Sequence, residues 1–234
     1  METIFINSGN SRKTNDGSGK LILHIFNTID LSGAQRYVSL SNLSIYYTWR
    51  NITKEYNNNK FKITTPKWEE NFTLPDGSYS IFDIDEYFRL IFQKHNATKT
   101  IFIYADSVEN RVTFKVKEGS SLELMTDETK KLLGSETSKI DKDKNGENPP
   151  QLEIADVVLV HCNLVDNKYQ LNSKILHSFV PDKPFGHLLN ITPPHPIKAR
   201  VLKSKFNTIE VWFTDQDIKP LKIEDRVSVT LVIE

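Results

Sequence analysis

The sequence contains a single cysteine, Cys162, among its 234 residues. One cysteine cannot form an intrachain disulfide, which excludes the disulfide-stapled scaffolds of small secreted proteins. No positively charged start followed by an apolar core opens the chain, so we expect no secretory signal and an intracellular site of folding. No apolar run approaches the roughly 20 residues that a membrane helix needs, so no membrane partner is expected.

An excess of one charge and glycine-rich motifs are also missing. Lys plus Arg and Asp plus Glu each number 30, which gives a formal net charge of zero. A neutral balance does not indicate a nucleic-acid partner, and it weakens the repulsion that keeps copies of a protein apart. The nine glycines form no dinucleotide or phosphate-binding loop, so no nucleotide cofactor is expected.

What the sequence does have is hydrophobic alternation with a period of two. It is clearest near the C-terminus, where apolar residues recur at every second position in two segments separated by Asp, Lys and Pro. This spacing predicts two strands that are buried on one face only. The alternating residues are Ile209, Val211 and Phe213 in the first segment and Val227, Val229, Leu231 and Ile233 in the second.

Two segments depart from this pattern and predict helices. Ser80 is a candidate N-cap with Asp83 three residues later, and the spacing of the apolar residues that follow predicts a helix over about 80–95. A shorter helix is expected over about 127–133, ended by Gly134. The apolar residues of the first helix, which we expect to face the core, are Ile81, Ile84, Phe88, Ile91 and Phe92.

Many short strands with two helices in the connections predict an all-β fold, a single jelly-roll β-sandwich. Residues 1–19 are polar after a short apolar patch and are expected to form a flexible N-terminal arm. Residues 20–234 are expected to form one jelly-roll domain, with an exposed loop at about 135–151. The apolar run from Leu152 to Cys162 predicts a long strand after that loop.

The sharpest motif match is the run Asp141-Lys-Asp143-Lys-Asn145-Gly146, which opens like an EF-hand calcium loop. The bidentate glutamate of such a loop should stand six residues after the glycine, where this chain has Leu152. Since that ligand is missing and prolines follow at 149 and 150, the pattern favours a turn, and no metal site is predicted.

The adjacent pair His161-Cys162 resembles a nucleophile with its base. Neighbouring residues of a strand face opposite sides, so this pair cannot act together, and a buried apolar thiol is the favoured interpretation. The other histidines show no zinc spacing. We therefore predict no catalytic, cofactor-binding or metal residue, no cofactor, no small-molecule substrate and no enzymatic activity.

Five aromatic residues leave two interpretations open. They can be core or interface residues of the sandwich, or some of them can form a platform on which a sugar stacks, as in a lectin-like module. The candidates for a sugar platform are Tyr46, Tyr47 and Trp212; Trp49 and Trp68 complete the set.

Several blocks of the chain resemble the minor capsid (penton) protein of Polinton, or Maverick, elements and related adenovirus-like and virophage-like viruses. The blocks are strand, turn and helix-cap patterns that extend over most of the chain from about residue 20. They are residues 37–52, residues 74–88, residues 132–135 with 142–148, and residues 211–216 with the C-terminal strand.

The resemblance implies a single jelly-roll subunit that forms homopentamers at the vertices of an icosahedral capsid and contacts the major capsid protein. It places the protein in the virion, after assembly inside the host cell. It implies no list of functional residues, because the activity is assembly through surfaces. The major capsid protein of such elements has two jelly rolls, and this chain is short for two.

Overall fold

The computed structural model describes residues 2–14, 20–32, 35–165, 174–223 and 226–234. Within these residues the fold is dominated by β-strands and has two helices, α1 (Ile81–Lys94) and α2 (Asp127–Leu133). The strands are β1 (Glu2–Asn7), β2 (Arg12–Lys13), β3 (Leu21–Asp30), β4 (Tyr37–Tyr46), β5 (Lys60–Thr64), β6 (Glu69–Thr73), β7 (Ile101–Asp106), β8 (Arg111–Val116), β9 (Ser121–Leu124), β10 (Lys139–Ile140), β11 (Lys144–Asn145), β12 (Val158–Cys162), β13 (Ile175–Phe179), β14 (Leu188–Ile191), β15 (Ala199–Arg200), β16 (Lys205–Thr214) and β17 (Val227–Ile233). The predicted all-β class and both helices are confirmed. None of the described helices is long and apolar enough to cross a membrane.

The chain divides into two compact units. The first, here called the jelly-roll unit, combines Met1–Trp49 with Ala155–Glu234. The second, the inserted unit, is the continuous segment Arg50–Ile154 that lies between β4 and β12 in the sequence. The expected single domain over residues 20–234 stays a prediction.

The jelly-roll unit contains two antiparallel sheets. Sheet A has the order β1-β17-β4-β14, with β15 also paired to β4, and sheet B has the order β13-β12-β16-β3-β2. Most successive long strands lie in different sheets, and the first strand, β1, pairs with the last, β17. This wiring is a jelly roll of eight main strands.

Burial along the strands explains why the two sheets pack. Every second residue of β17 is buried, from Val227 to Ile233, and β16 alternates in the same way through Ile209, Val211 and Phe213. Since strand side chains alternate between faces, each sheet turns one apolar face inward. The alternation in the sequence therefore predicted these two strands correctly.

The inserted unit has a core of its own. Sheet C has the order β10-β9-β5-β6 and sheet D the order β11-β8-β7. Buried aromatic residues from several elements form the centre of one cluster, in which the rings of Phe61, Phe72 and Phe88 have centroids 5.6–5.8 Å apart. The α1 residues predicted to face the core are all buried in this cluster.

Helix α1 begins where the sequence predicted, because Ser80 and Asp83 cap it reciprocally. The Ser80 hydroxyl accepts from the Asp83 backbone N–H, and the Asp83 carboxylate accepts from the Ser80 backbone N–H at 2.8 Å. This capping box satisfies two N–H groups that a helix end leaves unpaired. Asp85 then ties the helix to β7 by accepting from the backbone N–H of Ile103 at 2.9 Å.

Three sequence expectations differ from the structure. Glu2–Asn7, part of the expected arm, forms β1 and pairs with β17 over its full length; residues 15–19 of that arm lie outside the described residues. The strand expected over Leu152–Cys162 is limited to β12. The expected loop at 135–151 contains β10 and β11 and buries Ile140.

Candidate assembly surface

Sheet A presents an outer face that carries no charged side chain across its four main strands. Cross-strand partners share a face of a sheet, and the register pairs the exposed residues of β1 with the half-buried residues of β17. The β1 and β17 side chains on this face are Thr3, Phe5, Asn7, Ser228, Thr230 and Val232.

The same face continues over β4 and β14, where Ser44 and Tyr46 lie opposite Asn190 and Leu188. Together with Ser39 and Asn42 of β4, which pair with β17 residues of the outer face, these side chains carry hydroxyl, amide or aromatic groups, except for the aliphatic Leu188. We call the whole set the sheet A outer face. Charged residues make up 26% of the chain, so their absence here is a local property of this face.

The outer face of sheet B differs in charge. Arg12 of β2 pairs there with Ile22, and Glu210 of β16 forms an ion pair with Lys20 at 3.3 Å. Depletion of charge together with exposed aromatic rings distinguishes the centre of protein interfaces from ordinary surface. Of the two outer faces, the sheet A outer face has these properties.

Hydrogen bonds between neighbouring side chains hold part of this face in place. Ser44 Oγ donates to Asn190 Oδ1 at 2.8 Å, and Asn42 Nδ2 donates to Thr192 Oγ1 at 2.9 Å. Polar groups that are already hydrogen-bonded within one chain cost less free energy to desolvate when a partner excludes water from them. The face can therefore be covered at a small desolvation cost.

A shallow recess of about 300 Å³ opens at one end of the sheet A outer face. Its walls are the Tyr46 side chain, Leu188 and the start of β17, with Gly9 and Arg226 among the remaining lining residues. The walls offer apolar surface, one aromatic ring and one cation, and no carboxylate lines the recess.

The free edge of sheet A at β1 is partly closed by Asn10. Its side-chain amide donates to the Phe5 carbonyl at 2.9 Å and accepts from the Asn7 N–H at 2.8 Å. The carboxamide thus takes the place of one residue of a neighbouring strand. Such a cap limits edge-to-edge pairing between chains, so contacts through the face are favoured over contacts through this edge.

The most exposed large apolar side chain in the described residues is Phe26, at 105% relative exposure. It lies in β3, where the register to β16 slips: Ile29 pairs with Phe206, but His24 pairs with Thr208. The residues between these pairs are extra on β3 and form a bulge that directs Phe26 into solvent. The exposure of Phe26 could not be predicted from the sequence, because a Phe within a strand pattern suggests a core position.

The His161-Cys162 pair has the geometry that strand alternation predicted. Cys162 is fully buried, and burial raises the pKa of its thiol to about 12. His161 stacks on Trp212 with ring centroids 5.1 Å apart, and its Nε2 lies 2.9 Å from Thr214 Oγ1. Burial lowers the pKa of His161 to about 4. A protonated thiol and a neutral imidazole of this kind are not an activated nucleophile and base.

The loop that resembles an EF hand has a structural role. The Asp143 carboxylate accepts from the Val116 N–H at 2.9 Å and from Lys115 Nζ at 3.0 Å, and β11 pairs with β8. These bonds, led by the one to the Val116 N–H, lower the pKa of Asp143. Across the part of the chain that is described, no group of three or more His, Cys, Asp or Glu side chains could hold a metal ion.

The aromatic residues considered for a sugar platform do not come together. Tyr46 lines the recess on the sheet A outer face, whereas the ring of Tyr47 is buried and stacks on Trp49 at 4.3 Å. Trp212 belongs to sheet B, where Lys20 Nζ lies 5.3 Å from its ring. Trp68, in the inserted unit, stacks on His95 at 4.1 Å. Of the three candidates, Tyr46 alone faces the recess.

Comparisons with known proteins support the fold. No model of a known protein family matches the sequence, and no curated protein matches it at a significant level. The crystal structure of the selenomethionine-labelled mavirus penton protein is similar to this chain, with a TM-score of 0.53 and 10% sequence identity. The likeness covers 100% of this chain and 99% of that one. The fold is therefore penton-like over its full length.

Proposed function

We propose that this chain is a structural subunit of a viral capsid vertex, a penton protein of a Polinton-like virus or transposon. In this role it assembles into homopentamers, contacts the major capsid protein of an icosahedral shell, and resides in the virion. The observation that carries the proposal is the likeness to the mavirus penton protein across the whole of both chains. The sequence resemblance to Polinton penton proteins supports the same assignment.

The sheet A outer face supplies a surface suited to assembly. A ring of five identical subunits needs a heterologous interface, in which two different patches of the same chain meet and the rotation closes. A neutral chain with one sheet face whose four main strands carry no charged side chain suits repeated contacts between copies, because like charges do not oppose each other on those strands. The proposed activity is assembly and includes no catalytic step.

The oligomeric state of the purified full chain tests this proposal. Mass photometry and light scattering should show particles of five times the 27.0 kDa chain, and negative-stain images should show five-fold rings, alone or after addition of the major capsid protein. A protein that stays monomeric at high concentration, both alone and with the major capsid protein, would contradict the proposal.

A lectin-like carbohydrate-binding module is the second candidate. The observation that favours it is the position of Tyr46, whose ring lines an open recess beside hydroxyl side chains such as Ser44 and Ser228. A glycan-array signal that is lost in Tyr46→Ala and kept in Trp212→Ala would promote this function over assembly. Binding lost in both variants would point to a site other than the recess.

A further inference from the structure

The recess on the sheet A outer face has the chemistry of a pocket for an aromatic ring. Leu188 offers apolar contact and the Tyr46 ring can pack edge-to-face against another ring. Arg226 also lines the recess. Its volume of about 300 Å³ exceeds the roughly 150 Å³ of a protein cavity that already accepts benzene. No carboxylate is present to bind a cation, so a cationic side chain is a poor occupant.

The same jelly-roll unit carries an aromatic ring that has no cover. Phe26 is fully exposed on the β3 bulge of sheet B, the sheet on the other side of the sandwich from sheet A. Burying a phenyl side chain that is otherwise left in water stabilises the contact that covers it. The other residues of the bulge, Ile25, Asn27 and Thr28, are uncharged, so the bulge itself adds no charge that would have to be desolvated when the ring is buried.

Other exposed rings of this unit fit the recess less well. Phe5 lies on the sheet A outer face itself, so its insertion into a second copy would bring two equal faces together. Such an isologous contact produces a two-fold pair and no five-membered ring. Phe185 packs edge-on against Tyr47, with ring centroids 5.9 Å apart, and is therefore already partly covered.

We propose that Phe26 of one copy inserts into the Tyr46–Leu188–Arg226 recess of the next copy, and that this knob-and-pocket contact joins neighbouring subunits. The inference deepens the proposed function and rests on it, because it names the two patches through which the ring closes. Knob and pocket lie on opposite sheets of the same unit, so each copy offers one of each to its two neighbours. Two different patches that meet in this way form a heterologous interface, which closes into a five-membered ring when neighbouring copies are related by one fifth of a full turn.

Directional disulfide trapping tests the contact. Phe26→Cys and Ser44→Cys are made in separate chains; Cys162 stays, because it is fully buried and not reactive in the folded protein. Mild oxidation of the mixture should give crosslinked dimers, each single variant alone should give none, and the double variant should give a ladder up to a five-chain product. As the matched control, Ser178→Cys, an exposed position of sheet B, should not crosslink to Phe26→Cys.

Replacing the knob separates this inference from the proposed function. The pentameric ring of the Phe26→Ser protein should dissociate at a protein concentration more than about tenfold higher than that of the wild type, as expected on loss of an interface hot spot. Val180→Ser, which removes another exposed apolar side chain of the unit (67% exposed), should leave ring formation unchanged. Circular dichroism of both variants should match the wild type.

The outcomes are distinct. A wild-type protein that forms no ring contradicts the proposed function and the contact together. If the wild type forms pentameric rings and the Phe26→Ser protein forms rings of equal stability, the contact is overturned and the proposed function stands. The same holds if the wild type forms rings and no directional crosslink is found. Saturable binding of galactose or N-acetylneuraminic acid that Tyr46→Ala abolishes, with rings unaffected by the sugar, would assign the recess to a carbohydrate and overturn the contact as well.

Discussion

At the scale of single residues, the two neighbours His161 and Cys162 show how burial decides chemistry. The thiol faces the core of the jelly-roll unit, and the imidazole is held between Trp212 and Thr214 with 2% of its surface exposed. Both groups are kept in their neutral forms, the thiol by a raised pKa and the imidazole by a lowered one. Because the folded protein disfavours the charged form of each group, its stability falls at a pH where the unfolded chain would ionise that group.

We predict that His161 makes the jelly-roll unit less stable in acid. Its folded-state pKa, about 4, lies below the ordinary value of about 6.5. Below pH 6.5 the unfolded chain binds a proton that the folded chain excludes, so stability falls as the pH falls from about 6.5 to about 4. Between pH 7 and pH 5 this should cost the wild type on the order of 2 kcal/mol.

The prediction is measured by urea unfolding of wild type and His161→Gln at both pH values, followed by tryptophan fluorescence. The variant should lose about 2 kcal/mol less on acidification, even if it is less stable at pH 7. His177, whose pKa burial also lowers, adds a slope common to both proteins. His195→Gln, a change at an exposed histidine, is the control and should behave like the wild type; equal acid losses in all three proteins would refute the prediction.

Residue by residue, the sequence predicted what depends on near neighbours. The opposite facing of His161 and Cys162 follows from strand alternation alone, and the same rule separates Tyr46 from Tyr47, which the sugar-platform hypothesis had grouped together. That Trp212 lies on a different sheet from Tyr46 depends on which strands pair. Pairing between distant segments leaves no periodicity in the sequence, so that part of the candidate site could not be predicted.

At the scale of elements, the helices were predicted closely and some strands were not. The start of α1 follows from the Ser80–Asp83 capping box, a signal confined to four residues. The strand expected over Leu152–Cys162 was too long because its apolar run crosses the boundary between two units. Leu152 packs against the core of the inserted unit, while Val158 is buried in the jelly-roll unit. Hydrophobicity alone does not distinguish one core from another.

The end of α2 gives a prediction with a built-in comparison. Gly134 and Gly186 both have positive φ, 67° and 84°, so an alanine at either position is strained. A Cβ at Gly134 would also collide with the backbone carbonyl of Asn148, whereas at Gly186 no atom lies within 4 Å. Gly186→Ala should cost about 1 kcal/mol, and Gly134→Ala should cost at least about twice as much.

Differential scanning calorimetry and urea titration of the two variants measure this difference. Because the Asn148 N–H also donates to the Gly134 carbonyl at 2.9 Å, the neighbouring backbone has little freedom to move away from an added methyl group. Equal losses of stability at the two positions would show that the close approach to Asn148 carries no cost.

At the scale of the whole molecule, the chain consists of a jelly roll interrupted by a unit with its own core. Each unit has separate sheets, and the inserted unit contains both helices and a closed cluster of buried side chains. Nothing in the composition marks the boundaries at residues 49–50 and 154–155, since neither is a Gly- or Ser-rich linker. The sequence therefore predicted the fold class and left the division into units unseen.

We predict that residues 50–154 fold by themselves when expressed alone. Their core is formed within the segment, from Ile52 to Ile140, and a segment of about 100 residues is a common domain size. Dispersed amide resonances and a cooperative thermal transition should be observed. Phe88→Asp, which places a charge in the centre of the core, is the control for loss of folding; a wild-type segment with spectra like this variant would show that the unit needs the rest of the chain.

The pairing of β1 with β17 bears on how the protein is made. Glu2 lies opposite Ile233, and β17 separates β1 from β4 in sheet A. During synthesis β1 and β4 leave the ribosome long before the strand that joins them, while the inserted unit has its whole sequence available earlier. Since pairing between distant segments is slow, we expect nascent chains to carry a folded inserted unit beside an open, aggregation-prone sandwich until the final strand arrives.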